Sequence, residues 1–102
     1  MLFNFTLRQL AYFVAAAESG STAKAAEKLH LSQSALSSSL TDLESAAGTT
    51  LLVRRQGKGL SLTTTGEELL AYAHRILHAS ADFDQHSRFL RGDHSGSLNL
   101  GC

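Results

Sequence analysis

Between Gly66 and Gly92 the chain contains no glycine, and it contains no proline anywhere, so nothing in that stretch interrupts a helix. Leu69, Ala73, Ile76, Ser80, Phe83, Ser87 and Leu90 follow one another there at alternating steps of four and three, with Leu70 and Leu77 flanking. That spacing is a heptad seam on one face of a helix. A helix over residues 64–91 is about 42 Å long at 1.5 Å per residue, too long for so small a domain to cover. The uncovered stripe calls for a partner helix, and a heptad repeat suggests a second copy of itself. Leu69, Leu70, Ala73, Ile76, Leu77, Phe83 and Leu90 are therefore the candidate dimerisation residues. Thr63 or Thr64 can cap this helix, with Glu67 and Glu68 near its positive end.

Three shorter helices are expected upstream. Thr6-Leu-Arg-Gln9 has capping-box spacing. Leu7, Leu10, Ala11, Val14 and Ala17 then recur at helical spacing, with Phe13 widening the stripe, and Gly20 is a C-cap candidate. Ser21 can cap a second helix to about Leu29, with Ala25, Ala26 and Leu29 inward and Lys24, Glu27 and Lys28 outward. His30-Leu31 makes a tight link. Ser32 then caps a third helix to about Ala47, with Ala35, Leu36, Leu40, Leu43 and Ala47 on its apolar side and Gly48 as its stop.

The pattern changes at residue 51. Leu51-Leu-Val-Arg-Arg55 and Leu60-Ser-Leu-Thr63 have strand-like composition, and Gln56-Gly-Lys-Gly59 between them can turn. Three helices, this hairpin and the long helix make a mainly α winged helix-turn-helix followed by a dimerisation helix. Residues 1–63 form the winged unit, 64–91 the linker helix and 92–102 a hinge. In that hinge Ser97-Leu-Asn-Leu100 alternates like the start of a strand and reads as the first residues of a further domain.

Charge narrows the function classes. The chain has 102 residues, nine Lys+Arg and nine Asp+Glu, for a formal net charge of zero. A uniformly basic nucleic-acid binder is excluded, but a local basic patch is not. Cys102, the single cysteine, leaves no disulfide within the chain and no cysteine-based zinc site. No apolar run nears the roughly 20 residues of a membrane span, and the N-terminus lacks a signal-peptide pattern, so a cytoplasmic protein without a membrane partner is expected.

Residues 31–41 carry no charge, and Ser32, Gln33, Ser34, Ser37, Ser38 and Thr41 are the polar positions that helix three is expected to expose. Short hydroxyls let a helix sink into a DNA major groove, and Gln33 can pair with an adenine edge. A serine-rich solvated helix fits the same pattern. Arg54, Arg55 and Lys58 give the hairpin three positive charges and no acid across residues 51–62. Such a patch suits backbone phosphates, although an edge hairpin can carry charge merely to stay soluble. Together the two features favour contact with double-stranded DNA.

These residues carry a family resemblance. Leu7-Arg-Gln-Leu-Ala-Tyr-Phe-Val14, Gly20-Ser21, Ala25-Ala-Glu-Lys-Leu29, Leu31-Ser-Gln-Ser-Ala-Leu-Ser37, Leu43-Glu44, Gly48, Leu51-Leu-Val-Arg54, Leu62-Thr63 and Gly66 occur in order. In that set the chain resembles the N-terminal DNA-binding region of LysR-type transcriptional regulators. The resemblance implies a sequence-specific regulator that dimerises through the long helix. It implies DNA sites that are interrupted, AT-rich palindromes, with helix three in the major groove and the wing on the flanking backbone or minor groove. Carried over residue by residue, the DNA contacts are Ser32, Gln33, Ser34, Ser37, Ser38, Thr41, Arg54, Arg55, Gln56 and Lys58. Gly96-Ser-Leu-Asn-Leu-Gly101 is similar to the approach to the family's effector-binding domain, so any small-molecule effector belongs to that absent domain and no cofactor to this region. A full-length protein of this kind can also be a tetramer. Ser38 and Thr41 stand where the family often has arginine or lysine, which implies fewer phosphate contacts and a shallower salt dependence. Leu52 replaces a usual phenylalanine and Thr22 a common aromatic, both expected to alter core packing only.

Other signals are weaker. His74, His78, Asp82 and His86 fall at successive steps of four, a ladder that could hold zinc or nickel. The heptad turns Leu69, Ile76 and Phe83 inward and leaves the ladder in water, so no metal site is expected. No Gly-x-Ser-x-Gly elbow or phosphate loop is present, and no enzyme is expected. The rival reading is a helical protein-interaction module that pairs through the long helix and never meets DNA.

Overall fold

The computed structural model of the chain describes residues 4–55 and 59–92. Gln56, Lys58 and the alternating segment at 97–100 lie outside the described residues. The element order is α1 (Leu7–Ser19), α2 (Thr22–Leu29), α3 (Gln33–Ala47), β1 (Leu52–Arg55), β2 (Gly59–Leu62) and α4 (Thr64–Leu90). This is the mainly helical winged helix-turn-helix with a long last helix that the spacing predicts. Among the described residues no helix is long and apolar enough to cross a membrane.

Side-chain caps set the helix boundaries. The capping box at Thr6 closes in both directions: the Gln9 N–H donates to Thr6 Oγ1 at 3.1 Å, and the Thr6 N–H donates to Gln9 Oε1 at 2.9 Å. Ser21 accepts from the Lys24 N–H, and Ser32 from the Ala35 N–H. Of the two threonines before α4, Thr63 is the cap, accepting from the Gly66 N–H at 2.8 Å. The tight link after α2 depends on His30, which adopts the left-handed conformation at φ 60 and ψ 43. That turn lets the Leu31 N–H reach back to the Ala26 carbonyl at 2.9 Å and launches α3 at a new angle.

Phe13, Leu36 and Leu51 sit at the centre of the core, ringed by Leu10, Ala16, Ala25, Ala26, Leu40, Leu43 and Ala73. Helix α1 is the hub and packs on α2, α3 and α4. Its buried line is Leu10, Phe13 and Ala16, whereas Leu7 is exposed. The stripe expected from Leu7 through Ala17 holds at Leu10 and Phe13, with Val14 packed beside them, and fails at Leu7, because the large ring of Phe13 sets the centre of the buried face. Ala35 and Ala47, expected inward, are exposed. Leu36, Leu40 and Leu43 fill the buried line of α3, and Ala35 lies about 100° around the helix from Leu36.

A polar contact joins the base of the wing to α3. The Glu44 carboxylate accepts from the Leu51 N–H at 2.8 Å and the Leu52 N–H at 3.0 Å, which fixes the start of β1 beneath α3. The strands pair antiparallel, with Leu52 opposite Leu62, Val53 opposite Ser61, Arg54 opposite Leu60 and Arg55 opposite Gly59.

The long helix divides into two parts. Its first half covers the domain, with Leu69, Leu70 and Leu77 half-buried against the core. Ala73, expected on the dimer seam, is 1% exposed and lies in the protomer's own core, where a partner cannot reach it. The open stripe begins at Ile76, 37% exposed, and continues through Phe83, 77% exposed, and Leu90, 71% exposed. This overhang gives the molecule its 57 Å long axis.

Candidate nucleic-acid interface

The outward face of α3 is built from its first turns. Ser32, Gln33, Ser34, Ser38 and Thr41 are exposed and Ser37 is half-buried. Ser32 Oγ lies 3.3 Å from Ser34 Oγ while capping the helix, so two hydroxyls crowd the positive end of the helix dipole. The first acid on α3 is Asp42, at the far end of this face. The exposed methyl of Ala35 joins the surface, a position that the helical period had assigned to the core. Its signal in the sequence was its place beside Ser34, next to a buried line already filled by leucines.

Arg54 and Arg55 are exposed on β1. Arg54 Nη2 donates to Ser37 Oγ, so the wing touches the middle of α3 directly. A guanidinium has donors left over after one such bond and can still reach a phosphate. The wing and α3 are therefore neighbours on one surface. Gln33, Arg54, Arg55, Ser21, Thr22 and Gly59 help to line a cleft of about 300 Å³ between them, with no acidic side chain in its lining. Thr22 belongs to this cleft and not to the core, which corrects the expectation from core packing. It is the first residue of α2, and that first turn faces the wing.

The histidine ladder of α4 lies away from this surface. His74 Nε2 is 3.3 Å from Glu18 Oε2, a link between α4 and the end of α1. Arg75 lies beside this row and stacks over Tyr72 at 5.1 Å from the ring centre.

Comparison with known proteins places this geometry. The sequence profile of the bacterial regulatory helix-turn-helix proteins of the lysR family matches residues 7–67. The chain is 41% identical over 96 residues to the HTH-type transcriptional regulator CfxR of Cupriavidus necator, which covers 94% of this chain and 30% of that protein. It is 51% identical over 71 residues to the Hca operon transcriptional activator HcaR of Escherichia coli, covering 70% of this chain and 24% of that protein. The chain thus spans about a third or less of the length of these curated relatives. Among solved structures, the CbnR DBD–DNA complex superposes with a TM-score of 0.81 at 38% identity, over 85% of this chain and 99% of that one. The BenM DBD/catB site 1 DNA complex gives 0.78 at 33% identity, over 91% and 100%. With the fold, the helix-turn-helix link and the sequence all in agreement, this chain belongs to the LysR family of bacterial helix-turn-helix regulators.

Proposed function

We propose that this chain docks on double-stranded DNA as a homodimer, reading an interrupted AT-rich palindrome as the DNA-binding part of a transcriptional regulator. Each protomer lays the N-terminal half of α3 in a major groove. Gln33 is suited to the N6/N7 edge of adenine, the Ala35 methyl to a thymine methyl, and Ser32, Ser34, Ser37, Ser38 and Thr41 to base edges or phosphates. Arg54 and Arg55, together with Gln56 and Lys58, grip the flanking backbone or minor groove. Ile76, Phe83 and Leu90, flanked by the remaining half-exposed edges of Leu69, Leu70 and Leu77, bring two copies together, and the separation of the copies sets the distance between half-sites. The relatives crystallised with DNA support this reading.

One observation carries it: the wing arginine bonded to Ser37 makes an uncharged helix face and a cationic strand one continuous surface. A module that pairs through α4 without DNA accounts for Phe83 and Leu90 but leaves that surface without a role. Gln33→Ala and Ser34→Ala are each expected to weaken binding to a selected site by about tenfold, the size of one lost base contact. Both side chains are exposed, so the thermal melt stays within a few degrees of wild type. Titration of a DNA duplex chosen from a random pool checks this, and unchanged affinity in both variants contradicts groove readout.

A further inference from the structure

We infer that Gly59, docked on the Gly20 carbonyl, is the positioning residue that sets where the wing presents Arg54 and Arg55 to DNA. The inference rests on the proposed DNA reading and adds to it a backbone contact that lies outside α3, at the edge of the cleft between α3 and the wing. The Leu60 N–H donates to the Gly20 carbonyl at 2.9 Å, so the start of β2 hangs from the turn between α1 and α2. Gly59 has φ +74, a left-handed conformation that side-chain residues seldom adopt. A Cβ built on Gly59 comes closer than 3.0 Å to the Gly20 oxygen. The Gly20 oxygen is backbone and already holds the Leu60 N–H, and a Cβ is fixed by its own backbone, so no side-chain rotation relieves the overlap.

Register turns this contact into a functional one. Arg55 lies directly opposite Gly59 and Arg54 directly opposite Leu60. The two docked residues are the cross-strand partners of the two cationic ones, so a displacement of the first pair moves the second. The other end of the wing is held separately, by Glu44 on the Leu51 and Leu52 N–H groups. Releasing the Gly20 contact therefore lets the arginine end shift about a fixed base, against the tie of Arg54 to Ser37. Leu60 is itself half-buried against the helical core, so the test of the contact includes a check that the helices stay folded.

The test is Gly59→Ala in the full chain, alongside the double variant Arg54→Ala/Arg55→Ala and the triple combination, titrated with a mixed-sequence DNA duplex over a series of salt concentrations. Gly59→Ala is expected to keep its helical circular dichroism. Its log K against log salt slope should flatten by about 1.8, the amount two lost phosphate contacts give. The triple variant should bind no more weakly than the double arginine variant, because both remove the same contacts. A wild-type salt slope in folded Gly59→Ala, or losses that simply add in the triple, overturns the inference while leaving DNA binding intact. A wild-type chain that binds no duplex overturns the proposed function instead. Hydrogen exchange of the Leu60 amide in the wild-type chain provides a readout that needs no variant. Slow exchange without DNA supports the docking, and exchange at the rate of an open amide contradicts it whatever the fate of Gly59→Ala.

Discussion

Replacing Phe83 by aspartate is expected to split the dimer and to lower affinity for a two-fold DNA site by about 100-fold or more, while leaving affinity for a single half-site unchanged. Phe83 is 77% exposed in the protomer, so the substitution removes almost no packing inside the fold. In a two-fold seam the same side chain counts twice. A phenyl ring buries about 150–250 Å², worth about 25 cal/mol per Å² before the costs of association. The aspartate reverses this gain, because a carboxylate pressed into an apolar seam must stay hydrated or lose its charge. Ile76→Asp acts in the same direction but less cleanly, since Ile76 also lines a groove of its own protomer with Leu43, Tyr72 and Ala73. Sedimentation checks the mass and a titration with whole and half sites checks the coupling. A Phe83→Asp chain that remains dimeric contradicts the assigned seam.

Gly66→Ala is expected to destabilise the fold by about 3 kcal/mol, at the upper end for inserting one methyl into a packed site. Helix interiors ordinarily gain from this change, by up to about 1 kcal/mol. Here the sign reverses because a Cβ on Gly66 comes closer than 3.0 Å to the Leu51 carbonyl oxygen. That oxygen cannot retreat: it accepts the Thr63 N–H at 3.0 Å. Thr63 Oγ1 in turn donates to the Thr50 carbonyl at 2.8 Å and caps α4 at the Gly66 N–H. The methyl therefore pushes on the junction where the wing ends, the long helix begins and Leu51 enters the core. At roughly 4–8 °C per kcal/mol for a domain of this size, the melt should fall by about 12–24 °C. A Gly66→Ala melt at or above wild type contradicts the close approach.

The fold was legible wherever short-range chemistry decides it. Thr6, Ser21, Ser32 and Thr63 cap the four helices because a hydroxyl three residues before a free N–H is a local geometry, visible as spacing. The phase of burial was less legible. Leu7 and Ala35 kept helical period with the core yet point outward, because period alone does not say which of two adjacent lines faces the neighbouring helix. The polar contacts joining distant segments left no local trace: Glu44 reaches seven residues ahead, Arg54 seventeen back to Ser37, and Leu60 forty back to Gly20. The candidate DNA face stood out through its missing charge, and the apolar stripe of α4 through its length. The division of that stripe at Ala73, between the protomer core and the open overhang, needed three dimensions.

Amide chemical shifts of the isotopically labelled chain, followed as a selected DNA duplex is added, test most directly whether α3 and the wing act as one surface. The largest changes are expected together along residues 32–41 and at Arg54 and Arg55, with those of Phe83 and Leu90 small. Changes confined to α4, or an α3 that stays silent while the wing alone responds, contradict the account.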